Sequence, residues 1–301
     1  KEATHKRMLH RIALIRDKPL IISGCLPKID LKSIEHVAPN YYAVVDPQSI
    51  HAIASIVEQA NHTIRNQQYF SNQPPPKPSL PKKPLNPYVE IIQIAEGCLG
   101  NCSYCCAKYA RGQLHSFSKE SIIERFKKAV SNGAREVWLT AQDTGAYGLD
   151  KDMNLAHLLE EVAQVQGDFK IRLGMMNPNH ATTMLDDLCQ ILNSPKVYKF
   201  LHIPVQSGSN KVLSDMKRQY QTEEFIELAK RLRKGIPHLT LSTDIIVGYP
   251  TETERDFEST VNLINTTKPD VTNISKYGHR PRTEASNLTQ LSPATITARS
   301  R

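Results

Sequence analysis

The chain has 301 residues, with 38 Lys and Arg against 30 Asp and Glu, a net charge of +8 and six cysteines. With 40% hydrophobic and 23% charged residues it reads as folded globular protein. No apolar run approaches the ~20 residues of a membrane span, and six cysteines are too sparse for a disulfide scaffold.

Residues 4–16 place Met8, Leu9, Ile12, Ala13 and Ile15 at helical spacing. A short strand follows at 19–24, with Cys25 just past its end. A second apolar run at 43–45 leads to Asp46-Pro47, which predicts a capped helix running to about Ile64. Residues 1–70 are thus α/β material with too few strands for a complete domain. Residues 71–87 hold seven of the 19 prolines and three lysines, a composition that predicts a semi-extended linker. Beyond it, strands are expected at 89–95, 136–141, 170–174, 199–204, 240–247 and 271–276. Helices are expected between them at about 118–132, 154–166, 182–193, 222–235 and 253–267. This alternation over 88–285 predicts a parallel sheet with helices outside, curled toward a barrel whose chemistry gathers in the loops after the strands. Residues 286–301 lose the pattern and read as an exit tail.

The loop after the first barrel strand, 96–105 (EGCLGNCSYC), carries Cys98, Cys102 and Cys105 as C-x3-C-x2-C. Three thiolates in eight residues, with Gly97 and Gly100 letting the backbone curl, suit one soft metal centre such as a four-iron cubane with an open iron. Structural zinc asks for a fourth ligand that no nearby His supplies; plain reduced thiols are the remaining reading. Cys189 shares a helix face with Leu185, Leu188, Ile191 and Leu192 and reads as core, while Cys106 takes no role.

This loop resembles that of the radical S-adenosylmethionine (SAM) enzymes. Residues 138–148 (WLTAQDTGAYG), 202–209 (HIPVQSGS), 216–218 (MKR) and 243–252 (TDIIVGYPTE) resemble their methylthiotransferase branch. Residues 108–112 (KYARG) and 172–178 (RLGMMNP), with the 138–148 loop, look like the archaeal and eukaryotic tRNA N6-threonylcarbamoyladenosine methylthiotransferases. The resemblance spans essentially the whole chain.

It implies a partial (β/α)6 radical-SAM barrel preceded by part of a smaller α/β domain, in which Cys98, Cys102 and Cys105 hold a [4Fe-4S] cluster that binds SAM. Reductive cleavage there yields a 5′-deoxyadenosyl radical that takes hydrogen from C2 of an adenine. By the same resemblance Gln142 and Asp143 meet the methionyl amino group, Gln206, Ser207 and Arg218 lie near its carboxylate and the ribose, and Ile246 to Gly248 line the adenine. For each of these, loop capping or barrel packing is the competing reading.

Cys25 resembles the last of three ligands to a second, auxiliary [4Fe-4S] cluster, whose other two ligands are expected outside this chain. Residues 277–283 (YGHRPRT) resemble the segment before the family's terminal tRNA-gripping barrel, a module expected to be absent from these 301 residues. The expected partners are a tRNA anticodon loop and an external electron donor, with the sulfur donor unidentified, in a cytoplasmic setting. Basic stretches at Lys6-Arg7, Lys82-Lys83, Lys127-Lys128, 230–234 and 280–282 suit phosphates or a solvated face. The expected product is the 2-methylthio derivative of N6-threonylcarbamoyladenosine at position 37. The alternatives are methylthiolation of isopentenyladenosine tRNA or a ribosomal-protein aspartate, and a non-catalytic zinc- or RNA-binding protein.

Overall fold

A computed structural model describes residues 2–60 and 65–301. The chain opens with helix α1 (Glu2–Leu14), strand β1 (Ile21–Ser23), helices α2 (Cys25–Ile29) and α3 (Leu31–Val37), and strand β2 (Ala43–Val45). A 3-10 turn (Pro47–Ala52), helix α4 (Ile53–Glu58) and strand β3 (Gln67–Tyr69) complete this first unit. Its three strands pair in parallel in the order β1-β2-β3. Ile12, Leu20, Ile22, Ile34, Tyr41 and Val44 pack beside them. Asp46 starts the 3-10 turn by accepting from the Ser49 amide at 2.7 Å. The single helix expected from there is a 3-10 turn followed by α4, and its expected end at Ile64 lies outside the described residues.

Residues 71–87 do not behave as a bare spacer. A 3-10 turn forms at Lys77–Ser79, Pro78 is buried, and Lys77 reaches Glu96 at 2.7 Å. The prolines prevent regular structure, but their rings and the lysine stems still cover the barrel wall.

The larger unit is built from β4 (Val89–Gln93), β5 (Ala95–Glu96), α5 (Ala107–Arg111), β6 (His115–Ser116), α6 (Lys119–Ser131), β7 (Glu136–Thr140), α7 (Leu155–Ala163), β8 (Lys170–Leu173), α8 (Pro178–Thr183), α9 (Leu185–Leu192) and β9 (Phe200–His202). Then come α10 (Asn210–Asp215), α11 (Thr222–Gly235), β10 (Thr240–Val247), α12 (Glu254–Thr267), β11 (Val271–Lys276), a 3-10 turn (Glu284–Asn287) and α13 (Pro293–Arg299). Two parallel sheets, β4-β7-β8 and β9-β10-β11, are joined by a bridge between Ile171 and Val197. These six strands form the partial barrel expected.

Alternation along the strands sets its two faces. Val137, Leu139, Ile171, Leu173, Leu201 and Leu241 are buried beneath the helices, so Trp138, Arg172 and Phe200 face the lumen. Local chemistry places the helices: Ser118 caps α6, whose Ile122, Phe126 and Ala129 form its buried stripe. Reciprocal capping boxes, Gln221 with Glu224 and Thr253 with Asp256, start α11 and α12. Cys189 packs against this core as expected.

The stretch expected to be an exit tail is packed instead. Arg299 of α13 is buried, pairing with Glu252 and Glu254 at 2.8 Å each. A cation that far from water needs its carboxylates, and they fix α13 to the loop after β10. Among the described residues no helix is long and apolar enough to cross a membrane.

Candidate cluster and cofactor site

The cysteine loop leaves β5 and returns through α5 to β6, and the antiparallel β5–β6 ribbon closes its base. Gly97 has φ 80°, and a Cβ there would lie 1.9 Å from the Gln113 carbonyl oxygen, so only glycine fits. Its amide donates to Gln142 Oε1 at 2.7 Å. Ser103 anchors the far side: its Oγ donates to the Asp215 carbonyl and meets Tyr249 Oη, both at 2.8 Å. Its amide donates to the Met216 carbonyl at 3.1 Å.

This anchoring presents Cys98, Cys102 and Cys105 half-buried, and no disulfide joins them. A methyl on Gly100 would lie 3.3 Å from Cys98 Sγ and 3.7 Å from Cys102 Sγ, so the two sulfurs flank that residue. The Gly100 amide donates to Cys98 Sγ at 3.2 Å, and Arg218 Nη1 donates to Cys102 Sγ at 3.2 Å. Burial pushes the Cys98 thiol up, with the Gly100 amide opposing and Asp143, Cys102 and Cys105 adding to the rise. Among the described residues no three His, Cys, Asp or Glu side chains converge on a single ion. A cubane presents separate irons at its corners and takes thiolates spread apart, which is the spacing a loop wrapped around Gly100 offers. Soft donors, an N–H aimed at sulfur and a buried guanidinium beside a thiol together fit such a cluster.

Arg218 is held on every side. Its Nε donates to Tyr220 Oη at 2.8 Å and its Nη2 to Asn177 Oδ1, and the Tyr220 ring lies 4.9 Å from its carbon centre. Burial acts to lower its pKa, but Tyr220, Tyr104 and Cys102 outweigh that, and it stays cationic. At Tyr220 burial does dominate, pushing the phenol up to about 12 against the pull of Arg218. Tyr104 and Ile246 pack with Val212, Met216, Tyr249 and Tyr277 as a wall beside the loop.

The remaining expected cofactor residues divide. Gln142 contacts the cysteine loop directly, as above. Asp143 is buried with both oxygens engaged by the chain: Oδ1 accepts from the Gly145 and Asn177 amides at 3.1 Å, and Oδ2 pairs with Asn177 Nδ2 at 2.5 Å and His180 Nδ1 at 2.8 Å. It positions Asn177, and through it Arg218. Ser207 is fully buried, and its Oγ accepts from the Ser209 amide at 3.2 Å and meets Thr260 Oγ1 of α12 at 3.4 Å. Its hydroxyl serves packing between loop and helix. Gln206 has φ 71° and knits its loop to β10 through two backbone hydrogen bonds, with Asp244 and Ile246. Gly248, at φ 76°, lies under Ile296 of α13 and donates its amide to Glu252 Oε2 at 2.7 Å.

Cys25 starts α2, which packs on α5, and lies against the Arg111 side chain. Glu96, fully buried, pairs with Arg111 at 2.9 Å as well as with Lys77, so one carboxylate ties the Pro-rich segment to the cysteine loop. Cys25 and Cys106 line the same cavity of about 250 Å³, with Arg280 Nη1 at 3.7 Å from Cys106 Sγ. Sequence reasoning missed Glu96, Lys77 and Arg111 as a group, because they are far apart in the chain. It also missed Asn177, although the Asn-Pro start of a helix after a barrel strand was a usable signal. Some expected basic patches are already paired, Lys82 with Glu90, Arg231 with Asp186 and Arg233 with Asp270.

Residues 92–264 match the Radical SAM superfamily model. The probable threonylcarbamoyladenosine tRNA methylthiotransferase of Pyrococcus horikoshii is 42% identical over all of this chain and 71% of its own length. The threonylcarbamoyladenosine tRNA methylthiotransferase of Homo sapiens is 36% identical, over 97% of this chain and 51% of its own. Among solved structures, the radical SAM methyltransferase TsrM from Kitasatospora setae superimposes with a TM-score of 0.68 at 17% identity, over 94% of this chain and 61% of that one, a likeness of fold.

Proposed function

The chain belongs to the radical SAM superfamily and, within it, to the threonylcarbamoyladenosine tRNA methylthiotransferase family, and from this we propose that it methylthiolates N6-threonylcarbamoyladenosine at position 37 of tRNA. The observation that carries the reading is the trio Cys98, Cys102 and Cys105, half-buried on a ribbon-closed loop at the strand ends with the Arg218 guanidinium at Cys102. A [4Fe-4S] cluster with SAM, reduced by an external donor, supplies one-electron chemistry able to activate an inert C–H bond.

The chain's own residues do the rest. The three thiolates ligate the cluster; the Gly100 amide and Arg218 offset the negative charge of the thiolates. Gln142 fixes the loop's entry at Gly97, and Asp143 fixes Asn177, so that Arg218 cannot swing away from Cys102. The Tyr104, Tyr249 and Tyr277 wall excludes water from one side. Cys25, beside Arg111 and on the α2 that packs against α5, is proposed as a residue that would ligate a second cluster at the junction of the two units. Chemistry on a base requires it to be splayed from its stack, which an anticodon loop permits.

The test is anaerobic loading with iron and sulfide, followed by incubation with tRNA carrying N6-threonylcarbamoyladenosine, SAM and a reductant. Mass spectrometry of the nucleosides should show the 2-methylthio derivative. Persistent lack of product from iron-loaded enzyme sinks the reading, and product only on isopentenyladenosine tRNA or on a protein aspartate redirects it.

A further inference from the structure

On the lumen side of the barrel, β7, β8 and β9 bring Trp138, Arg172 and Phe200 together. Trp138 and Arg172 are register partners. The Arg172 guanidinium carbon lies 4.6 Å from the Trp138 ring centroid and 4.9 Å from that of Phe200. With Thr140, Met175 and His202 they line a cavity of about 160 Å³.

Other half-buried or buried barrel arginines have partners of their own, among them Arg125 with Glu90, Arg218 with Cys102 and Asn177, and Arg299 with Glu252. Arg172, among the described residues, has ring contacts but neither an ion pair nor a hydrogen bond. Beside the cavity, the lining residue His202 gives its Nε2 to Asp244 Oδ1 at 2.8 Å, and Asn273 Nδ2 donates to the same oxygen at 2.9 Å. The indole Nε1–H of Trp138 is buried without an acceptor. A guanidinium stacked by aromatic rings keeps its in-plane N–H groups available, and their fork matches a carboxylate. Unpaired donors in a half-buried site carry a desolvation cost that an anion would relieve.

Two further facts narrow the ligand. At 160 Å³ the cavity is small beside the roughly 300–1,000 Å³ of whole-ligand pockets, so it takes a side group rather than a nucleoside. Arg172 and Met175, which line the cavity, also precede Asn177, the partner of Arg218 at the cysteine loop, on the one segment from β8 into α8, so the cavity and the cysteine loop are joined through that segment.

We propose that this pocket receives the threonylcarbamoyl group of the target base, with its carboxylate paired to Arg172 between Trp138 and Phe200. The proposal rests on the function above and adds the residue that reads the modification already present on the base. The methionyl group of SAM also carries a carboxylate, and the experiment separates the two.

Equilibrium binding is measured on the cluster-loaded holoenzyme with three anticodon hairpins: one with unmodified A37, one with N6-threonylcarbamoyladenosine, and one with its methyl ester. Wild type should prefer the free carboxylate over both others. Arg172→Ala should reduce that preference by about 10- to 100-fold, the worth of a charge-assisted pair. Affinity for the unmodified hairpin and for SAM should stay unchanged, and Arg172→Lys should restore part of the preference.

Equal weakening toward all hairpins, a preference that survives Arg172→Ala, or a parallel loss of SAM binding each overturns the proposal. The methyl ester makes the test on unaltered protein, so a folding defect in the variant cannot rescue the idea. A wild type that forms product without preferring the free carboxylate refutes the pocket and leaves the function standing. Absence of product refutes the function itself.

Discussion

Glu96 offers the sharpest test of how the Pro-rich segment is held to the cysteine loop. Its side chain is fully buried, while Lys77 and Arg111, at 2.7 and 2.9 Å, have side chains only 12% and 27% exposed. Glu96→Gln keeps the shape and removes the charge, leaving two half-buried cations facing each other. Burial already lowers the Lys77 pKa and Arg111 lowers it further, with Glu96 the main opposing influence. Removing one partner of a buried pair costs roughly 3–5 kcal/mol. Both cations keep some contact with water, so we expect about 2–4 kcal/mol here. Arg135 and Asp168 serve as the internal control: their side chains are 62% and 95% exposed at 3.4 Å, and Asp168→Asn should cost less than about 0.5 kcal/mol. Urea unfolding followed by the fluorescence of the single tryptophan, Trp138, compares the variants directly. A Glu96→Gln loss no larger than that of Asp168→Asn would refute the claim that this carboxylate is the electrostatic tie.

Other outcomes follow from single contacts. Phe126 is fully buried and meets Phe169 edge-on at 5.1 Å, so Phe126→Ala should cost about 3–5 kcal/mol in urea unfolding. Gly248→Ala places a Cβ 2.6 Å from Ile296 at φ 76°, which should cost about 1–3 kcal/mol in thermal melts. Adding Ile296→Ala should relieve the clash but not the backbone strain. At Asp46 burial acts to raise the pKa, yet hydrogen bonds from Lys28, Ser71 and Ser49 outweigh it and hold the carboxyl below its ordinary 3.8. The native state therefore binds fewer protons than the unfolded chain. The stabilisation from Asp46 is complete above pH 3.8 and is lost as pH falls through the folded value. Asp46→Asn should flatten the acid-side slope of stability measured by urea titration between neutral and acid pH; an unchanged slope would count against it. Cys98→Ala should lower bound iron by about four atoms per chain on anaerobic loading, whereas Cys189→Ala should leave it unchanged.

What the sequence alone determined is what lies close together along the chain. The C-x3-C-x2-C loop, the alternation of six strands with helices, and the glycine at Gly97 are local patterns, because strand pleat, helix period and backbone freedom act over a few residues. The expected strands at 240–247 and 271–276 coincide with β10 and β11 for that reason. Side-chain direction was not legible. Ser207 lies in the same loop motif as Gln206, yet its hydroxyl turns to Thr260 of α12, and Asp143 spends both oxygens on Asn177, His180 and the Gly145 amide. The roles of Lys77, Glu96 and Arg111, of Arg299 in the supposed tail, and of Arg172 between two aromatic rings were decided only by the tertiary structure. Charge and stacking depend on distance in space and on the exclusion of water, and a linear sequence encodes neither until the barrel closes.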